Sequence, residues 1–481
     1  MASTRVIVIG AGLAGLSAAK LLADRGLDVE VLEASGKAGG SCATTSVEGY
    51  TFNDGAIYLA LLGLVDHAFA RLGLDRAAVL PLRKASAGFR TTLPDGSVVT
   101  LGDDLALDVA GRSVDARRVQ HEMQALIARW RPFLRFVEEE FVVHPFSAWR
   151  LLRRGWRHLP KMLGTVAREL DRSFGDRAVR SAFAGTLLYT GAPASRTPAP
   201  AIVGLVAGLE EGLFVPEGGM GRIPEALVAS LRERGVGIRL DARVERIVIE
   251  QGRVRGVELR GAGRIDAAAV VSTASGMATF GSLVDRAHWP SAIARRMQHP
   301  PLSHRAVSVQ LGVPGPIAAA ANSMSVLPWM EDQAQLLAQD GNDMRFPVYV
   351  VTSRANPELA PPGASTVEMF YPVASGIPLE HWTEEAKTKL LGLATDVLQR
   401  AHGVTPVVWR VRSPRDFATS MNLHAGALYG LSPTATPREL FPHATGIRGL
   451  FMAGQTTFPG YGVAPSMMSG IFAAEAATAG L

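Results

Sequence analysis

The segment Gly10-Ala11-Gly12-Leu13-Ala14-Gly15 follows the apolar run Val6-Ile7-Val8-Ile9, and Glu33 stands eighteen residues further on. Residues of these types at this spacing can hold a pyrophosphate and a ribose. Gly10 permits a tight turn, Gly12 lets the backbone approach the phosphates, and Gly15 lets a helix pack closely on a strand. Glu33 can accept hydrogen bonds from a ribose diol, which favours an adenosine without a 2′-phosphate. A glycine-rich turn with no ligand would leave Glu33 unexplained.

A second glycine-rich segment lies near the other end: Gly454-Gln455-Thr456-Thr457-Phe458-Pro459-Gly460-Tyr461-Gly462-Val463. Small residues there let backbone approach a flat ring. The two segments together suggest one redox cofactor held from both ends of the chain.

Elements must position these residues. Val6–Ile9 reads as a buried parallel strand. Residues 13–25 read as a helix whose N-terminus offers free N–H groups and a positive dipole end to phosphate. Gly26 stops it, and Asp28–Leu32 is the second strand, with Glu33 at its end. Near the C-terminus, 449–454 reads as a strand entering a loop, and 466–477 as a helix rich in Gly, Ala and Ser. Its N-terminus can stabilise negative charge on a reduced ring.

The chain has 481 residues, 47% hydrophobic and 19% charged, with a formal net charge of +5. This is a globular chain, too long for one ordinary core. The charge excess is too mild to argue for nucleic acid. One cysteine, Cys42, excludes an internal disulfide and a cysteine-based zinc site. Beside the cofactor segment it reads as a bystander ahead of a reactive thiol. No metal-spaced histidine pair is present, so no metal is expected. No signal peptide or apolar run of ~18 residues is visible. A cytoplasmic protein is expected, at most resting on the inner face of a membrane.

After Glu33 come Ala34-Ser35-Gly36-Lys37-Ala38-Gly39-Gly40-Ser41, then Tyr50-Thr51-Phe52-Asn53-Asp54-Gly55-Ala56. This pattern resembles the flavoprotein amine oxidase superfamily and its phytoene desaturase and carotenoid isomerase branch. The resemblance implies FAD rather than NAD. It places Ala34, Lys37, Gly39, Gly40, Ser41, Gly55 and Ala56 with the N-terminal cofactor set. The superfamily usually has Arg after the Gly-Gly pair. Ser41 stands there, as in the carotenoid isomerases and retinol saturases that the pattern is similar to.

The middle of the chain extends the resemblance. Leu188-Tyr189-Thr190-Gly191 and the loop from Gly212 to Gly221 precede a helix over 223–234 and strands over 237–240, 243–250, Arg253–Leu259 and 268–272. In similar phytoene desaturases these elements return the chain to the flavin domain, and the residue at Val244 meets the adenine through its backbone. At the C-terminus the resemblance puts Gly454, Gln455, Gly462, Val463 and Ser466 against the ribityl chain and pyrimidine. Gln455 occupies a position where an acid is frequent. Gly426-Ala427-Leu428-Tyr429-Gly430-Leu431-Ser432-Pro433 matches the same group.

The expected fold class is α/β. A Rossmann-type FAD-binding domain is built from the discontinuous segments 1–75, 212–285 and 425–481. An inserted mixed α+β substrate domain takes 76–110 and 286–424, and a helical part takes 111–211. In that part, 145–163 mixes Trp, Leu and Phe with basic residues and has no acid. This is the composition of an interfacial helix near anionic lipid, with 149–163 as the membrane contact. The alternative is a helix packing its tryptophans on the core. Gly155 and Pro160 argue against one long helix. Glu138-Glu139-Glu140 reads as a solvated helix face.

A flavin can take a hydride, and the protein must present the substrate C–H while excluding water. For a polyene that requires an apolar tunnel. Catalytic side chains cannot be read from the chain beyond the flavin itself; His424, Tyr429 and Tyr461 are candidates by their nearness to the last loop. Four readings stay open. They are desaturation of an apolar polyene or isoprenoid, isomerisation or saturation with reduced FAD, oxidation of an amine or another natural product, and apolar-ligand binding without turnover. Ser41 and Phe458-Pro459-Gly460-Tyr461-Gly462-Val463 lean toward the second.

Overall fold

The computed structural model describes residues 4–85, 89–93, 95–101, 105–186, 192–317 and 348–481, and the backbone of 322–325. The Leu188–Gly191 element lies outside the described residues.

The apolar run after Thr4 becomes the central strand Arg5–Ile9 of a five-stranded parallel sheet. Across this sheet the order is Gly237–Arg239, Asp28–Leu32, Arg5–Ile9, Ala269–Ser272 and Leu450–Met452. Val6, Ile7 and Val8 are fully buried, as a strand covered on both faces requires. The helix Leu13–Asp24 packs on one face beside the C-terminal helix Val463–Gly480. These two helices meet backbone to backbone. A Cβ on Gly470 would lie 2.1 Å from the Ala14 carbonyl oxygen, and a Cβ on Gly15 1.9 Å from that of Gly10. The C-terminal helix begins at Val463, three residues before the point read from composition.

Three antiparallel strands, Val244–Glu250, Arg253–Leu259 and Gly263–Asp266, form a separate sheet beside the parallel one.

A third sheet has eight strands in the order Val408–Arg412, Arg305–Val313, Ser365–Val373, Val348–Val351, Asn322–Ser325, Phe89–Thr92, Val98–Leu101 and Ala106–Asp108. Its central strands alternate with period two. Val307, Val309, Leu311, Val367, Met369 and Tyr371 bury one face against Leu390, Ala394 and Leu398 of the helix Glu384–His402. The opposite face carries Ser308, Gln310, Glu368, Phe370, Arg410 and Arg412, and it turns toward the parallel-sheet body.

The helical part packs around Trp130, Phe133, Phe174 and Phe183. Its first helix, Ala116–Phe136, is capped by the Asp115 carboxylate and runs on into a wider turn, Val137–Phe141. Glu138 in that turn is half-buried rather than solvated, and burial with Glu211 and Glu139 nearby pushes its carboxyl up to about 7. The helix Ile202–Glu210 lies against Ala116–Phe136.

The 145–163 stretch folds as three short pieces: Ala148–Gly155, Trp156–His158 and Leu159–Met162. Gly155 is needed at the first break, since a Cβ there would sit 2.7 Å from the Phe136 ring. The tryptophans do not pack on the core. Trp149 is 71% exposed, Trp156 56% and Leu163 77%. Trp149, Leu152, Trp156, Leu159 and Leu163 follow helical spacing and share the outer side. No helix among the described residues is long and apolar enough to cross a membrane.

Candidate functional site

One cavity of about 1560 Å³ runs between the parallel sheet, the eight-stranded sheet and the helical part. Pockets for a drug-sized ligand hold about 300–1,000 Å³, so this volume suits a dinucleotide together with a second, extended molecule.

The cavity's first end is built by the glycine-rich turn. Gly10, Gly12, Leu13 and Ala14 line it. Gly12 caps the first helix without any side-chain hydrogen bond, and a Cβ there would meet nothing within 4 Å. The helix's first N–H groups therefore open onto free space. Gly15 does not line the cavity; it brings the helix against the Gly10 carbonyl, the packing role read from its spacing. Glu33 closes this end. Its Oε2 accepts the Ala11 N–H at 2.7 Å, and its Oε1 accepts the Ser35 N–H at 2.9 Å. The Ser35 hydroxyl also donates to Oε1 at 2.8 Å, so of a carboxylate's about four lone-pair sites one remains for a ribose hydroxyl. Ala34 and Val244 line the wall beside it.

Gly39, Gly40, Ser41, Gly55 and Ala56 continue the lining. The Ser41 carbonyl accepts the Ala56 N–H at 2.9 Å, which clamps the two segments together. Lys37 also borders the cavity, but its ammonium is engaged by Asp54, the Thr45 hydroxyl and the Thr44 carbonyl. Cys42 is buried, and burial pushes its thiol up to about 12. It borders the cavity as a protonated thiol near neutral pH.

Gly454, Gln455, Gly462, Val463 and Ser466 also line the cavity. The Gly454 N–H donates to the Ser469 hydroxyl at 2.9 Å, and that hydroxyl also meets Thr457. The loop is thereby tied to the C-terminal helix. These residues leave a cradle of free N–H groups at one end and close backbone walls at the other. It fits FAD.

Tyr429 and Tyr461 line the cavity and stack face to face with centroids 4.4 Å apart. Burial pushes the Tyr461 hydroxyl up to about 12, so it remains a neutral donor. His424 does not join them. It is exposed and outside the cavity lining, because Ala425 (φ 53°) and Gly426 turn the chain so that Leu428 and Tyr429 reach inward instead. His304 is the buried histidine near this stack, with its ring centroid 5.3 Å from Tyr429. Burial pulls it down to about 4, so it is neutral near pH 7. Its place in the strand-entry segment gave no sequence signal.

Sequence reading also missed the polar wall. Asn53, Asp54, Glu368, Arg410 and Arg412 line the cavity. Glu368 Oε1 accepts both the Asn53 N–H and the Asn53 amide at 3.0 Å. Gln310 donates to the Asn53 carbonyl and accepts from Arg410. Asp54 is paired with Lys37, Arg410 and Arg412. Burial raises its carboxyl, but the three cations outweigh burial and hold it below the usual range.

Glu368 is buried, and burial pushes its carboxyl up to about 7. An unfolded glutamate titrates near ~4.3, so the folded state binds this proton more tightly. Its stabilising contribution is complete below about pH 4 and is lost as pH rises through about 7. The span corresponds to roughly 4 kcal/mol at most. Glu368→Gln keeps the acceptor for Asn53 and removes the proton. The urea midpoint of the FAD-loaded variant is expected to fall less between about pH 5 and about pH 8 than that of the parent. Glu138 has the same sign and window, so part of the slope persists. An identical slope in parent and variant would contradict the assignment.

The remaining lining comes from the helical part. Ala201, Gly204, Leu205, Gly208 and Leu209 present one side of the helix Ile202–Glu210, with Leu213, Ile57 and Phe89 nearby.

Comparison with known proteins agrees with this geometry. The family described as "Flavin containing amine oxidoreductase" matches residues 13–478. A zeta-carotene-forming phytoene desaturase of Myxococcus xanthus is 26% identical over 97% of this chain and 92% of its own length. A hydroxyneurosporene desaturase of Cereibacter sphaeroides is 29% identical over 99% of this chain and 98% of its own. Among solved structures, cyclohexylamine oxidase from Brevibacterium oxydans superposes with a TM-score of 0.63 over 99% of both chains at 18% identity. An oxidoreductase from Methanosarcina mazei also gives 0.63, at 18% identity, over 98% of this chain and 100% of its own. These two share the fold. The chain belongs to the flavin containing amine oxidoreductase family and is an FAD-dependent oxidoreductase.

Proposed function

We propose that the protein dehydrogenates carbon–carbon bonds of an apolar polyene or isoprenoid, as its phytoene desaturase relatives' names describe for them. The observation that carries this is the cavity's apolar arm along Ile202–Glu210, continuous with the cofactor cradle. Bound FAD supplies a two-electron acceptor for such chemistry. The chain's own residues do the rest. Leu205, Leu209 and Leu213 exclude water, while Gly204 and Gly208 leave room for an extended chain. The stacked Tyr429–Tyr461 pair leaves no gap for a cation between its faces, which weighs against an amine gripped there.

Isomerisation or saturation is the second reading. Ser41 after the Gly-Gly pair and the Phe458–Val463 sequence favour it. Product analysis separates the two. Phytoene and lycopene isomers in liposomes are incubated with oxidised and with pre-reduced holoprotein. New conjugated double bonds with oxidised flavin support the first reading. Isomer conversion only with reduced flavin replaces it with the second. No product in either state removes both.

The division into a FAD-binding domain (1–75, 212–285, 425–481), a substrate domain (76–110, 286–424) and a helical part (111–211) belongs to the same proposal. So does docking of 149–163 on a membrane surface. Of the eleven exposed large hydrophobics among the described residues, six fall between Phe146 and Leu163. Arg150, Arg153, Arg154, Arg157 and Lys161 flank them. Burying one such side chain is worth about 1.5–3 kcal/mol. Trp149→Ser/Leu163→Ser is therefore expected to lower co-sedimentation with anionic vesicles by at least about 10-fold, with FAD content unchanged. Equal binding of parent and variant would refute docking at this face.

A further inference from the structure

Charge on the cavity's sheet wall has no use in holding a hydrocarbon. Register places Phe370, Ser308 and Arg412 side by side on three neighbouring strands, and all three line the cavity. The Arg412 side chain is only 11% exposed. Its Nη1 donates to the Asp54 carbonyl oxygen at 2.9 Å and lies 3.5 Å from Asp54 Oδ1. One face of the guanidinium stacks on Phe417, with Cζ 4.6 Å from the ring centroid. A guanidinium has five N–H donors. Among the described residues, Nε and Nη2 meet no acceptor.

The local charge balance points the same way. Asp54 is shared by Lys37, Arg410 and Arg412, and Asp416, which also acts on Arg412, is itself paired with Lys387. Glu368, the other acid on this wall, is committed to Asn53. Neither Nε nor Nη2 of Arg412 is sealed from the cavity, so an acceptor on a bound ligand can reach them. A planar guanidinium is matched by a carbonyl or carboxylate oxygen. The Ser308 hydroxyl stands beside it on the adjacent strand as a second polar contact.

We infer that Arg412, with Ser308 beside it, is a receptor for a carbonyl or anionic oxygen inside the reaction cavity. The oxygen comes either from the pyrimidine edge of the flavin or from an oxygenated end of the polyene. The inference rests on the reading of this cavity as a joint flavin and polyene site.

The test uses FAD-loaded parent, Arg412→Met and Arg412→Lys. The flavin midpoint potential is measured by dye equilibration, with no substrate present. Binding of norbixin, a linear polyene dicarboxylate, is compared with binding of lycopene through the perturbation of flavin absorbance. If the oxygen belongs to the flavin, the potential of Arg412→Met falls and Arg412→Lys restores part of it. If it belongs to the polyene, Arg412→Met loses at least about 10-fold in norbixin affinity and little in lycopene affinity. A folded, loaded Arg412→Met with neither change overturns the inference. Should that variant not fold, the parent alone decides. Norbixin binding at least about 10-fold tighter than lycopene, or a reduced flavin that stays anionic below its free-solution pKa, supports the receptor. Absence of both overturns it. The potential arm needs no turnover, so a shift there with no polyene product would sink the polyene reading and keep the receptor.

Discussion

Replacing Gly470 with valine should strip the protein of FAD. The Cβ would sit 2.1 Å from the Ala14 carbonyl oxygen and 2.9 Å from the Ala14 carbonyl carbon. Both atoms are backbone of the first helix, so no side chain can swing aside. The C-terminal helix must withdraw, and Ser469 with it. Ser469 holds the Gly454 N–H, and Gly454 sits beside Ala14 in the cradle, where a Cβ on it would lie 4.0 Å from the Ala14 Cβ. One substitution thus spreads both cofactor-binding ends of the chain. Overpacking of this kind costs roughly 1–3 kcal/mol, and a backbone clash stands at the upper end. A loss of about 100-fold in FAD affinity is expected, read from the flavin-to-protein absorbance ratio after dialysis. Gly392→Ala is the control, since a Cβ there meets nothing within 4 Å. Full flavin occupancy in Gly470→Val would contradict the two-ended cradle.

The second large effect should leave the flavin untouched. Gly204 opens on the apolar arm, and a Cβ there also meets nothing within 4 Å. A phenylalanine fits the helix at least as well as glycine does, so the fold is not strained. Its ring projects into the arm that an extended polyene would occupy. Gly204→Phe is expected to keep FAD and lose at least about 100-fold in kcat/KM toward a long polyene, roughly 3 kcal/mol. Gly204→Ala should stay near the parent. Unchanged turnover in Gly204→Phe would mean that the chain threads elsewhere.

Much of the cofactor cradle was legible in the sequence, because its signals are local. Val6–Ile9, the glycines of 10–15 and Glu33 lie within one strand–helix–strand unit, whose short-range spacing encodes its geometry. The strands Arg253–Leu259 and Asp28–Leu32 fall where the sequence puts them. The eight-stranded sheet was not legible, because its pairings are distant. Phe89–Thr92 pairs with Asn322–Ser325, and no local pattern announces a partner so far along the chain.

Arg305–Val313 and Ser365–Val373 do carry period-two alternation, which marks one face of each as buried. Alternation cannot say that the other face meets a cofactor body rather than water. Nothing local in the sequence therefore marks Glu368 and Arg412 as cavity residues. Their role emerges only from register, which sets them around Gln310, Ser308 and the Asn53–Asp54 turn. His424 failed for the opposite reason. It is near the last loop in sequence, but a left-handed residue at Ala425 turns it outward. For 145–163 the composition left two readings open, an interfacial face and a helix with its tryptophans on the core. Burial data were needed to exclude the alternative in which Trp149 and Trp156 pack inward.

FAD and an apolar polyene are proposed to share this cavity and exchange electrons there. Anaerobic absorbance of the oxidised holoprotein, recorded after adding phytoene in liposomes, tests it most directly. Bleaching of the oxidised flavin band, in step with the appearance of longer conjugated products in the same tube, is the predicted result. A band that stays unchanged while the polyene is recovered intact would contradict it.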